Sequence, residues 1–159
     1  MRRKDREVTD RQAIIDIVES CQCCRIGFQD DGEVYIVPLN FGFEYSGQRI
    51  VFYFHGAKEG RKIDLIAKNP YVGFEMDTNH KVYAKSNNGT ACTYTARFQS
   101  IIGNGRVSMV CNADEKEHGL RLIMKHTTHK SEWAFDGKML NAVAVFKLEV
   151  EKLSCKEHE

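Results

Sequence analysis

The chain has 159 residues, with 23 Lys and Arg against 22 Asp and Glu, so its formal net charge is only +1. That balance lacks the basic excess of a dedicated nucleic-acid binder, and 42% hydrophobic with 28% charged residues describes a soluble globular chain rather than a disordered one. The length suits one domain over residues 1–159. No apolar run approaches the ~18 residues of a membrane span, and Met1-Arg2-Arg3-Lys4-Asp5-Arg6 has no apolar stretch behind it, so a cytoplasmic protein with no membrane or nucleic-acid partner is expected.

Thr9-Asp10-Arg11-Gln12 reads as a capping box, after which Ala13, Ile14, Ile17, Val18 and Cys21 fall on one helical face. Cys24–Gln29 reads as a strand ending at the hairpin signal Asp30-Asp31-Gly32, and Glu33–Phe43 as a second strand alternating through Tyr35, Val37, Leu39, Phe41 and Phe43. A turn at Tyr45-Ser46-Gly47-Gln48 leads into a third strand, Arg49–His55, rich in β-branched and aromatic residues. The period then changes: Ile63, Leu65 and Ile66 belong to a short helix that Asn69-Pro70 terminates. Two long strands, Tyr71–Ala84 and about Thr93–Cys111, flank the polar segment Lys85–Gly89. Asp114–Lys125 predicts a helix with an acidic start, although Gly119 weakens its propensity. A polar loop through Trp133 and Gly137 precedes the last strand, Ala142–Glu151. Many strands with few helices predict a mainly β fold, a small β-barrel with peripheral helices.

Six cysteines raise the question of metal or disulfide chemistry. Cys21-Gln22-Cys23-Cys24 contains a C-x-x-C, but a structural zinc site wants a second pair at similar spacing. Cys92, Cys111 and Cys155 are scattered, and His126 and His129 fall in a stretch that reads as polar loop. The expectation is no metal, with free thiols in a reducing compartment.

Three segments can carry chemistry. His55-Gly56-Ala57-Lys58-Glu59-Gly60-Arg61-Lys62 joins a strand to a helix, where glycines, a helix start and three cations make either a phosphate cradle or a basic surface turn. It is no Walker A loop, because three residues rather than four separate the glycines and no Lys-Ser/Thr follows. In Val37-Pro38-Leu39-Asn40-Phe41 the proline marks a strand edge or bulge, where a ligand can approach or where nothing does. Gln99-Ser100 is a polar pair inside an apolar strand, turned to a ligand, an interface or solvent, with Gly103 and Gly105 allowing a bulge.

These segments, with Met1-Arg2-Arg3-Lys4, Asn69-Pro70 and Glu132-Trp133 in the same order, resemble the 5-nitroimidazole-resistance (Nim-type) proteins among the pyridoxamine phosphate oxidase-like flavin-binding split barrels. The resemblance implies a single six-stranded antiparallel FMN-binding split-barrel domain and a homodimer with flavin between subunits. It implies Val37, Pro38, Leu39 and Asn40 along the flavin ring, and His55, Gly56, Ala57, Arg61 and Lys62 near the ring edge and phosphate. Gln99 and Ser100 would lie on the facing strand. The Arg- and His-bearing C-terminal segment by which pyridoxamine phosphate oxidases hold their substrate has no counterpart here, so a vitamin B6 oxidase ranks lowest. The leading expectation is an FMN-dependent oxidoreductase, nitroreductase-like, that reduces a small aromatic acceptor such as a 5-nitroimidazole. FAD is the alternative flavin, NAD(P)H the candidate donor, and His55 the candidate catalytic residue. The competing expectation is a non-catalytic flavin- or haem-binding protein for storage or sensing.

Overall fold

The computed structural model describes residues 3–46, 49–86 and 89–158. Helix α1 (Arg11–Ser20) is capped by Asp10, whose carboxylate accepts from the Ala13 amide at 2.9 Å. The cap is therefore one residue later than the capping box expected, and Gln12 donates to Asp16 instead of reaching back. Strands β2 (Cys24–Asp30) and β3 (Glu33–Leu39) follow a two-residue β1 (Glu7–Val8). Their hairpin turns on Asp31 (φ 49°) and Gly32 (φ 94°), two left-handed residues whose twist suits a two-residue hairpin.

The strand expected over Glu33–Phe43 is broken. β3 stops at Leu39 and β4 (Gly42–Ser46) begins anew, because Asn40 and Phe41 carry the chain from one end of the strand order to the other. Phe41 is fully buried at this crossing, so its place in the alternation reflects core packing and not strand continuity. Gly47 and Gln48 of the expected turn, Asn87 and Asn88 of the polar segment, and Met1 and Arg2 lie outside the described residues. β4 pairs with β5 (Arg49–Gly56), and α2 (Arg61–Lys68) ends at Asn69 as its sequence required. β6 (Tyr71–Ala84) and β7 (Tyr94–Met109) are the two long strands.

Helix α3 (Ala113–Thr128) reaches further than expected and takes His126 out of the supposed loop. A short helix α4 (Gly137–Ala142) occupies part of that loop, capped by Asp136 accepting from the Met139 amide at 2.8 Å. β8 (Ala144–His158) runs well past Glu151, since its polar C-terminal half is held by β7 on one side and β1 on the other rather than by burial.

All ladders are antiparallel, in the order β3-β2-β6-β7-β8-β5-β4 with β1 added to β8. The sheet thus has 8 strands rather than six; the excess over the expectation is the five-residue β4 and the two-residue β1. Among the described residues no ladder joins β3 to β4, so the barrel is split there. Its interior holds Ile26, Phe28, Phe52, Phe54, Phe74, Met76, Ile101, Phe146 and Leu148. Phe52 meets Phe74 edge-on at 5.4 Å and Phe54 stacks on Phe146 at 5.4 Å, each buried ring adding ~1.5–3 kcal/mol. A smaller outer cluster places Val51, Tyr53 and Val145 beneath Leu120 and Ile123 of α3. The helix sits directly on the sheet because a Cβ at Gly42 would lie 2.3 Å from the Ile123 amide nitrogen and one at Gly119 2.7 Å from the Tyr53 ring.

Candidate functional site

At the end of β5 and the start of α2 the Lys62 side chain comes back onto Gly56, which follows His55 and precedes Ala57 in the chain. Strand alternation puts Phe54 in the core and His55 on the outer face, exposed, opposite Val145 at the start of β8. Gly60 precedes α2 at φ 119°, a conformation that side chains resist. Its carbonyl takes the first helical amides, from Ile63 at 2.8 Å and Asp64 at 3.3 Å, which leaves the amides of Arg61 and Lys62 ahead of the first intrahelical bond. A Cβ on Gly56 would lie 2.9 Å from Lys62 Nζ, so the ammonium rests on the space that glycine leaves bare. Lys62 has no ion pair among the described residues. An unpaired ammonium beside free helix-start amides is a field for an anion.

Arg61, one residue earlier, points elsewhere. Its guanidinium binds Asp30 at 2.8 and 2.7 Å, approaches Glu33 at 3.6 Å and lies 4.5 Å over the Tyr35 ring. The hydrogen bond to Asp30 raises the Arg61 pKa further above its usual value. With Lys68 on Asp31 at 2.6 Å, it ties α2 to the β2–β3 hairpin.

The other expected residues form a second group. Val37 and Leu39 pack against the core, whereas Pro38 faces outward opposite Arg25, and Asn40 is exposed at the crossing. Gln99 accepts from the Asn79 side-chain amide at 2.6 Å and donates to Glu157. Ser100 pairs with Asp77 on one side and Lys156 on the other. His55 aligns with Val145 at one end of β8 and Gln99 with Glu157 at the other, roughly 40 Å of strand at ~3.3 Å per residue. One chain therefore does not bring His55 and Gln99 to a common point.

Sequence reasoning missed a network under α3. Tyr53 donates to Glu44 Oε1 at 2.9 Å, the His118 imidazole meets Glu44 Oε2 at 2.7 Å, and Lys147 donates to Glu115 at 2.5 Å. Burial first, then Glu44, pushes the Tyr53 phenol well above its ordinary pKa, so it stays a neutral donor. Each of these groups is paired within the network, whose role is to fasten the helix; no spacing in the sequence marks it. The cysteines are free, and burial pushes the Cys21 thiol up to about 12 and Cys155 to about 11, with Cys24 raised as well. A thiol so protonated is a poor nucleophile, so the C-x-x-C is packing. Among the described residues no helix is long and apolar enough to cross a membrane.

A family model described as pyridoxamine 5'-phosphate oxidase matches residues 10–157. The chain belongs to the pyridoxamine 5'-phosphate oxidase family. A candidate 5-nitroimidazole antibiotic resistance protein from Bacteroides thetaiotaomicron superposes with a TM-score of 0.80 at 29% identity, over 95% of this chain and 86% of that one. The flavocytochrome Anf3 from Azotobacter vinelandii shares the fold at TM-score 0.75 and 20% identity, covering 100% of this chain and 72% of that one. The FAD and heme binding protein from Mycobacterium smegmatis does so at 0.76 and 19%, covering 97% and 74%. A search of curated proteins returned no match. The family assignment accounts for the split barrel and for the order of the quoted segments along the chain.

Proposed function

We propose that this family member is a flavin-dependent oxidoreductase that binds FMN, takes electrons from NAD(P)H and reduces a small aromatic acceptor such as a 5-nitroimidazole. The observation that carries the reading is the Lys62 ammonium resting on bare Gly56 at the open start of α2. Two unbonded amides and an unpaired cation fit the phosphate of FMN, where charge-assisted hydrogen bonds are worth ~1.5–3 kcal/mol each. Arg61 joins that cradle only by leaving Asp30. The flavin would supply the electron transfer; the chain's residues orient it, exclude water and move protons. His55, exposed at the end of β5 next to Gly56, is the residue to which this reading gives proton donation from its imidazole to the acceptor. The flavin-binding relatives and the nitroimidazole-resistance relative support the reading by analogy of fold.

The reading includes a homodimer. On the outer face of β3, β2, β6 and β7, Val34 is 71%, Ile36 61% and Ile102 58% exposed, around the side-chain-free pair Gly27 and Gly73. The same face carries the Arg25–Glu75 and Arg25–Asp77 ion pairs at 3.0 and 2.7 Å. Its exposed aliphatic side chains suit a second copy of itself, and a two-fold would set the Gln99 end of one subunit near the His55 end of the other.

The test is anaerobic reduction of FMN-loaded protein by NAD(P)H, then mixing with a 5-nitroimidazole. Reoxidation should quicken with acceptor concentration, and His55→Ala should slow it about a hundredfold at unchanged flavin affinity. Flavin binding without acceptor-dependent reoxidation would make the protein a flavin holder instead.

A further inference from the structure

The β6–β7 hairpin extends beyond the barrel as an exposed arm, and its base carries an arrangement that the flavin reading leaves unused. Between Thr78–Gln99 and Lys81–Arg97, two β6 residues, Asn79 and His80, oppose the single Phe98, which makes a β-bulge. Asn79 takes φ 56° there, held by its side-chain amide on Gln99, which in turn is held by Glu157. The bulge sets Lys81 directly across from Arg97. Like charges in that position repel, with Cβ atoms ~4.5–5.5 Å apart, and ordinarily destabilise a ladder. Neither cation has an ion pair or side-chain hydrogen bond among the described residues, nor has His80. The three line an open cavity of about 440 Å³ together with Asn79, Gln99, Glu157 and His158. The His158 ring has Nδ1 at 2.6 Å from the Ala96 carbonyl oxygen and its face beside Phe98 at 6.1 Å. Within the chain Asn79–Gln99–Glu157, Gln99 donates to one oxygen of Glu157, so that carboxylate keeps its charge on the cavity wall, and Lys81 and Arg97 set two positive charges against it.

We propose that this cavity binds an oxyanion of a small ligand, a carboxylate or a phosphate, bridged between Lys81 and Arg97. An anion there turns the cross-strand repulsion into two charge-assisted contacts, and the Arg97 guanidinium presents a planar fork to it. Gln99 is shared with the flavin reading, but the clamp uses different cations and needs no flavin.

Isothermal titration of flavin-free full-length protein with inorganic phosphate and with benzoate, at low ionic strength, tests it. The Lys62→Ala background removes the other anion cradle. Binding should persist in Lys62→Ala and fall by at least about tenfold when Lys81→Gln and Arg97→Gln are added, with the neutral isostere benzamide not bound. Both substituted side chains are exposed, and an unchanged melting temperature verifies the fold. Benzoate bound as tightly as phosphate marks a carboxylate ligand; phosphate bound alone marks a phosphate ester; both support the clamp. Affinity unaltered by the double substitution overturns it. So does a change confined to the sedimentation coefficient, which would make the pair an ionic contact between copies. Binding of these anions by a chain that takes up no flavin would leave the clamp standing and remove the flavin reading.

Discussion

His126 shows how a single side chain sets an environmental limit on this fold. Its ring lies 4.2 Å from that of Phe41 and 6.0 Å from that of Phe43, and Nε2 is shut from solvent without a partner at full hydrogen-bonding geometry. Burial lowers its pKa below the ordinary 6.5, only partly offset by backbone groups of Glu19, Val18 and Phe41. The unfolded chain therefore takes up this proton before the native one does. Stability is full above pH 6.5 and is lost as pH falls from there toward the lowered native value. His126→Phe keeps the ring and removes the proton, so between about pH 7 and about pH 5 its melting temperature should gain on the wild type by a few degrees. A difference that stays constant with pH would mean that His126 titrates normally. Neighbouring side chains can also diverge where sequence spacing treats them alike. Arg61 and Lys62 read as one basic pair, and only the return of the β2–β3 hairpin, which brings Asp30 to Arg61, leaves Lys62 as the unpaired cation.

Elements differ in how far local signals determined them. The hairpin at Asp31-Gly32, the end of α2 at Asn69 and the long β6 were legible because turn chemistry and alternation act locally. The break at Asn40-Phe41 was not, since a buried phenylalanine crossing the barrel keeps the same period as one inside a strand. The C-terminal half of β8 was hidden for the opposite reason: polar residues paired on both sides carry no apolar alternation. Helix α3 offers a direct check. Gly→Ala in an exposed helix interior gains ~1 kcal/mol, but at Gly119 the new Cβ would sit 2.7 Å from the buried Tyr53 ring. Gly119→Ala should therefore destabilise, by ~1–3 kcal/mol as overpacking does, and lower the melting temperature. A stabilised variant would show that α3 does not dock as described.

Assembly decides whether the two halves of the candidate site meet. His55, Gly56, Ala57 and Lys62 lie at one end of β8 and Gln99 and Ser100 at the other, a separation that the sequence could not reveal because it arises from strand register. The exposed Val34, Ile36 and Ile102 face should be covered by a second copy. Ile36→Glu should then shift sedimentation from dimer to monomer and weaken FMN binding by at least about tenfold, the two losses appearing together. Tight flavin binding by a monomeric variant would place the site within one chain.

The most direct measurement is a fluorescence titration of FMN and of riboflavin against wild type and Lys62→Ala. The cradle at Gly56 and α2 predicts tight FMN binding that Lys62→Ala weakens about tenfold or more, with riboflavin, which lacks the phosphate, nearly unaffected. Failure of the wild-type chain to bind FMN, or equal loss for both flavins in Lys62→Ala, would contradict it.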